Sequence, residues 1–293
     1  MKRLFILGNG FDKAHKIQSD YSYFGDFLES HHWPFFNNIM VAFQQDNHLW
    51  SNFEAILPEC AVYIEESGLQ MGHEMLDELD YDPCDDMSIG VWLKDQYEFI
   101  RQLPIVLRDW AEHIDINKEP LFEFHEDDCF FTFNYTDTVE KVYGQEDVLH
   151  IHGDVDTNDL LIMGHGDQRG IKIAKERILQ SQSECLEYAE STYKAVLKYL
   201  ESTLKDTDSI ITAHKGWFDR LYQIDEIYVV GQSLGNVDMP YFKKIHESVR
   251  ADTKWFLCHH NGVNADHIRK DNKLRELGIT NIESIGQQEL YRK

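Results

Sequence analysis

The 293-residue sequence predicts an α/β fold, a Rossmann-like parallel sheet carrying two helical insertions. Three observations lead there. Short, β-rich, all-apolar runs recur along the chain, as expected of strands buried on both faces of a parallel sheet. Each run ends in Gly, Asn or His, and the ligand crevice of an open α/β sheet lies outside such C-terminal ends. Between the runs, apolar residues recur at helical spacing instead of alternating.

The elements follow in chain order. The first strand is RLFILGN (3–9). Residues 20–120 hold no comparable run. There YSYFGDFLESHH, WSNFEAILPECAVYIEE and GVWLKDQYEFIRQLPIVLRDWAEHI space their apolar residues by three and four, so a first helical insertion is expected at about 20–120. Within it, the acidic stretch GLQMGHEMLDELDYDPCDDMS (68–88) reads as a loop. CFFTFNYT (129–136), VLHIHG (148–153) and LLIMGHG (160–166) read as the next strands. IKIAKERILQSQSECLEYAESTYKAVLKYLESTLKD (171–206) is amphipathic, with no Gly or Pro after Gly170. It gives a second insertion at about 170–210, expected to act as a lid or cover over the crevice. EIYVVGQSL (226–234) and KWFLCHH (254–260) complete the sheet. Without a repeat, low-complexity tract or clear linker, one domain over 1–293 is expected.

Composition narrows the function classes. With 42% hydrophobic and 13% aromatic residues, the chain can bury a sizeable core. Its net charge of −24 repels a phosphate backbone, so nucleic acid is not an expected partner. A local anion site built from backbone N–H groups stays compatible with that charge. Cys60, Cys84, Cys129, Cys185 and Cys258 are scattered, odd in number and form no C-x-x-C, so neither a disulfide framework nor a cysteine zinc site is expected. The apolar part of MKRLFILGNG is too short for a membrane span or a signal segment, so a cytoplasmic protein without a membrane partner is expected.

The strand ends carry the candidate site residues. Gly8-Asn9-Gly10 opens like a dinucleotide-binding turn, and its glycines allow a tight bend or close backbone approach. Lys13 stands where a third glycine would complete that motif, and Asp12 precedes it. Asp12 either caps the following helix or accepts a hydrogen bond from a ribose hydroxyl or a neighbouring loop. TFNYTDT places Thr132 and Asn134 at a strand end, where an amide either orients a water or hydroxyl or turns back on its own backbone. His150 and His152 are two apart, on one face if both lie on the strand. They read either as a metal pair or as one packing histidine and one, His152, reaching the crevice with little packing of its own. His165 ends LLIMGHG, and Gly231, Ser233, Leu234 and Asp238 follow EIYVV, a place suited to phosphate or ribose hydrogen bonds.

In this order the motifs resemble the sirtuin-like branch of nucleotide-binding folds: G-x-G, a strand-end Asn, His-Gly, then Gly-x-Ser-Leu. From Leu4 to Phe242 the wording is similar to the AbiH family of bacterial abortive-infection proteins, in LFILGNGFD, YSYF, WSNFE, FNYT, HIHG, GHG and GQSLGNVDMPYF. The resemblance implies an antiphage defence protein that binds NAD and hydrolyses its nicotinamide–ribose bond without a metal. It implies Asn134 positioning the ribose or water and His152 as the base, with Gly8, Asn9, Gly10, Asp12, Thr132, His165, Gly231, Ser233, Leu234 and Asp238 around the nucleotide. It also implies a second copy of the chain or another defence protein as partner. The chain departs from the sirtuin pattern in lacking a zinc ribbon and in placing Thr136, then Asp137, where an acid usually follows the Asn.

Two readings from other classes stand beside it. One is a metal-dependent phosphoesterase built on His150, His152, Asp154, His165 and Asp167. The other is a nucleotide sensor without turnover.

Overall fold

A computed structural model of the chain describes residues 1–43, 48–76, 85–157, 160–260 and 262–291. Five of the expected runs form strands: β1 (Arg3–Leu7), β2 (Cys129–Thr132), β3 (Val148–His150), β4 (Glu226–Val230) and β5 (Lys254–His259). A sixth, β6 (Ile282–Gly286), joins them. The sheet order is β3-β2-β1-β4-β5-β6 and every neighbouring pair is parallel. This is a Rossmann-like α/β sheet, with its switch point between β1 and β4.

Two compact units divide the chain. The first holds 1–20, 108–161 and 206–293, and the second 21–107 and 162–205. The first contains the whole sheet with α1 (Asn9–Ala14), α8 (Thr138–Tyr143), α11 (Thr207–Ala213), α12 (Lys215–Phe218), α13 (Met239–Ser248) and α14 (Ala265–Glu276). The second contains α2 (Tyr21–His31), α3 (Trp33–Ala42), α4 (Phe53–Ile56), α5 (Glu59–Leu76), α6 (Asp85–Tyr97), α9 (Gln168–Glu184) and α10 (Glu187–Ser202). The division falls within α7 (Leu103–Glu112).

Alternation along the strands fills both faces of the sheet. Leu4, Ile6, Phe131, Ile227, Val229, Trp255 and Leu257 point to one face, where they meet Tyr241, Phe242 and Ile245 of α13. Phe5, Leu7, Phe130, Tyr228, Val230 and Phe256 point to the other, beside Phe11 of α1 and Val139 of α8. On that face Phe130, Phe5, Tyr228 and Phe256 stack across four neighbouring strands, with ring centroids 4.6–5.5 Å apart. The second unit is organised by aromatic and charged contacts. Trp50 stacks on Phe53 at 5.2 Å and meets Phe24 edge-on, so the YSYF and WSNFE segments pack together. Lys205 is fully buried and pairs with Glu54 at 2.7 Å, and Glu54 also accepts from the Gly164 N–H at 3.3 Å.

Four expectations change. LLIMGHG forms no sheet strand: Leu160 is exposed, and the His165 backbone instead bridges Thr203 and Lys205 at the end of α10. VLHIHG pairs only as far as His150, so His152 lies in the turn beyond the strand and does not share a strand face with it. The long helical stretch breaks at Cys185, which adopts φ +56 as the C-cap of α9. The acidic stretch at 68–88 is helical at 68–76, within α5, and at 85–88, within α6; its central part, with Cys84, lies outside the described residues. Cys60, Cys129, Cys185 and Cys258 are free thiols.

Candidate functional site

The switch point is where the loops after β1 and β4 meet, and they meet backbone to backbone. Gly8 N–H donates to Val230 O at 3.0 Å and Gly10 N–H to Gly231 O at 2.9 Å. A Cβ on Gly10 would lie 2.6 Å from Gly231 Cα, and Gly231 sits at φ +68, so only glycine allows this approach. Phe11 N–H turns back to Gly8 O. The N–H groups of Gly8, Gly10 and Phe11 are therefore engaged by protein. The Asn9 side chain is held too, donating to Asp20 and accepting from Ser19.

Asp12 is fully buried on α1 and accepts from Thr136 Oγ1 at 2.6 Å; Thr138 Oγ1 donates in turn to Thr136. The acid after the glycine turn thus ties α1 to the FNYTDT loop. Burial pushes its carboxyl up to about 6, against the Thr136 hydrogen bond that favours the anion.

That loop carries Asn134, whose N–H donates to Thr132 Oγ1 and whose Nδ2 donates to Gly8 O at 3.3 Å. The second bond fixes the amide, with Oδ1 as its acceptor end. His150 has both ring nitrogens in contact, Nδ1 with Asn134 O at 3.0 Å and Nε2 with Glu140 Oε1 at 2.9 Å. Burial opposes its charge, but the Glu140 carboxylate and Asp154 outweigh burial and raise its pKa. His152 is 4% exposed among Phe133, Tyr135 and Tyr241, with ring centroids 5.4–6.5 Å away. It fills a packed aromatic box, contrary to the expectation that it packs little. Its Nε2 lies 3.8 Å from Oδ1 of Asp238, the buried N-cap of α13. Leu234 is buried at φ +55, and Ser233 is exposed with its N–H and hydroxyl on Gln232 Oε1.

The first unit therefore brings Gly8, Gly10, Asp12, Thr132, Asn134 and Gly231 into one bonded cluster, with His152 and Asp238 paired beside it. His165 belongs to the second unit. Its Nε2 contacts Leu200 O and Thr203 Oγ1, and its Nδ1 accepts from Asp167 N–H. Burial lowers its pKa although Asp167 opposes the shift. Among the described residues, no group of three or more His, Cys, Asp or Glu side chains is placed to hold a metal ion.

Sequence reading missed a cavity of about 460 Å³ in the first unit, beside Gly10 and Gly231 at the C-terminal ends of β1, β4 and β5. Its lining includes Lys13, Gln232, His259, His267, Lys270 and Gln287. The CHH ending of β5 was the available signal; Lys270 and Gln287 sit in ordinary polar sequence and gave none.

The family model of bacteriophage abortive infection AbiH proteins matches residues 4–259, most of the chain. The chain belongs to the AbiH family. An abortive-infection, antiphage role follows from that membership. No curated protein and no solved structure matches the chain. The AbiH match ends at β5, so α14, β6 and the far wall of the cavity lie beyond it. No described helix of this AbiH chain is long and apolar enough to cross a membrane.

Proposed function

We propose that the protein acts in abortive infection by binding NAD or a related nucleotide and hydrolysing its nicotinamide–ribose bond, as the sirtuin-like order of its motifs implies. The observation that carries this reading is the buried His152–Asp238 pair, 3.8 Å apart, with His152 packed on Phe133 and Tyr135, the residues flanking Asn134, whose amide is held by the glycine turn. In the reaction the C1′–N bond breaks and its electron pair returns to the nicotinamide ring, which leaves neutral. A water oxygen bonds to C1′ and its proton passes to the His152 imidazole and then to solvent. Asn134 Oδ1 orients the water or a ribose hydroxyl. Asp238 stabilises the imidazolium and the positive charge growing on the ribose.

The test is chromatography of nicotinamide and ADP-ribose after incubating NAD with purified protein, and with protein from phage-infected cells. His152 is packed, so His152→Asn is the informative substitution, read together with the melting temperature. It should reduce nicotinamide release on the order of a hundred- to ten-thousand-fold while the protein still melts cooperatively. His150→Asn should act through stability, since both His150 nitrogens serve the fold. Wild-type turnover in His152→Asn, or no nicotinamide from the wild type under either condition, defeats the mechanism. Binding without product would then favour the sensor reading.

A further inference from the structure

The glycine turn has little N–H capacity left for a phosphate, yet the cavity beside it is rich in donors. Gln232 is 6% exposed, and its Oε1 accepts from both the N–H and the hydroxyl of Ser233. That fixes its amide, and the buried Nε2 of this lining residue has no hydrogen-bond partner among the described residues. An unmatched buried amide donor is costly, so a lining residue that carries one favours a ligand acceptor there. Gln287, 4% exposed, sets a second buried amide in the same wall.

The remaining lining agrees in sign. His259 Nδ1 accepts from Gly262 N–H at 3.1 Å, which leaves Nε2 to carry the proton of the neutral ring as a donor. His267 lies edge-on to His259 at 5.3 Å, with its Nε2 on Ser284 Oγ at 2.7 Å, and burial lowers its pKa. Lys13 and Lys270 supply the charge, Lys13 paired with Asp20 and Lys270 with Asp266 at 2.7 Å. Asp266 is the carboxylate in the lining, and Arg269 and Lys270 both hold it. The twelve-residue α14 begins at this end of the lining, its N-cap Asn264 accepting from His267 N–H. In a chain of net charge −24, a donor-lined cavity selects an anion against the overall field.

We propose that this cavity binds the phosphate groups of a phosphorylated small molecule, through side chains of the β4, β5 and β6 loops and α14 instead of through the glycine turn. The proposal rests on the nucleotide reading only for what carries the phosphates. Inorganic pyrophosphate is the probe, titrated calorimetrically into the full chain. One site is expected, with affinity falling as salt rises. Gln232→Met removes the buried donor at similar volume and should weaken binding about ten-fold. Lys270→Gln lies near the surface and tests the same site if Gln232→Met melts abnormally; it should weaken binding to a similar extent and flatten the salt dependence. No pyrophosphate binding by the wild type overturns the proposal, and so does unchanged affinity in Lys270→Gln or in a folded Gln232→Met. Pyrophosphate binding without nicotinamide release would sink the glycohydrolase mechanism and leave this site standing. Nicotinamide release whose KM neither substitution moves would do the reverse.

Discussion

Asp12 shows how one residue can serve architecture and still leave a titration signature. Its carboxyl is buried, bonded to Thr136, and pushed from 3.8 to about 6 by burial. A raised folded pKa means that the native state binds the proton more tightly than the unfolded chain does. The resulting stability is complete below about pH 4 and is lost as pH rises through about 6. Asp12→Asn keeps an acceptor for Thr136 and cannot ionise. The variant should therefore gain on the wild type as pH rises from 4 to 8, by about 3 kcal/mol at most, a few degrees in melting temperature. A difference that does not change with pH would show that Asp12 ionises as freely folded as unfolded. At this scale the sequence was partly legible. It offered Asp12 a cap, a loop or a ribose, and the loop is what the fold uses. It took His152 for a strand-end residue with little packing, whereas the strand ends at His150 and His152 sits among Phe133, Tyr135 and, from α13, Tyr241.

Among the elements, the loops after β1 and β4 form the tightest joint. A side chain at Gly231 would place its Cβ 2.3 Å from Phe11 N and would have to hold φ +68. Gly144 has a similar φ, +66, with nothing within 4 Å of its would-be Cβ. Gly144→Ala should therefore carry only the left-handed penalty, about 1–2 kcal/mol, while Gly231→Ala adds forced separation of the two loops, for a total of about 2–5 kcal/mol. Denaturant midpoints at unchanged m-value check the pair; equal losses would mean that the loops part easily. The strands flanking this joint were legible because burial on both faces makes them continuously apolar. β6 was not, since Glu283 and Ser284 are both exposed on this edge strand and interrupt any apolar run. LLIMGHG misled for the opposite reason: an apolar run need not enter the sheet, and this one joins α10 through His165.

Across the whole molecule, 52 acidic residues against 28 basic ones set a self-repulsion that is strongest at low ionic strength. Salt also weakens exposed ion pairs such as Lys254–Glu283, but these contribute under about 1 kcal/mol each. Screening of the net charge should win, so the melting temperature should rise by several degrees between 0.05 and 0.5 M NaCl. A flat or falling profile would mean that attractive pairs dominate. Charge and class were readable from composition, whereas the sharing of motifs between two units was not. Motifs are read in chain order, and the units are interleaved along that order. The same interleaving bears on biosynthesis. The two central strands, β1 and β4, are register partners from Arg3–Glu226 to Leu7–Val230. On the ribosome β1 emerges first and its partner more than two hundred residues later, after every segment of the second unit has been made. The centre of the sheet is therefore among the last parts of the protein to have its full sequence available.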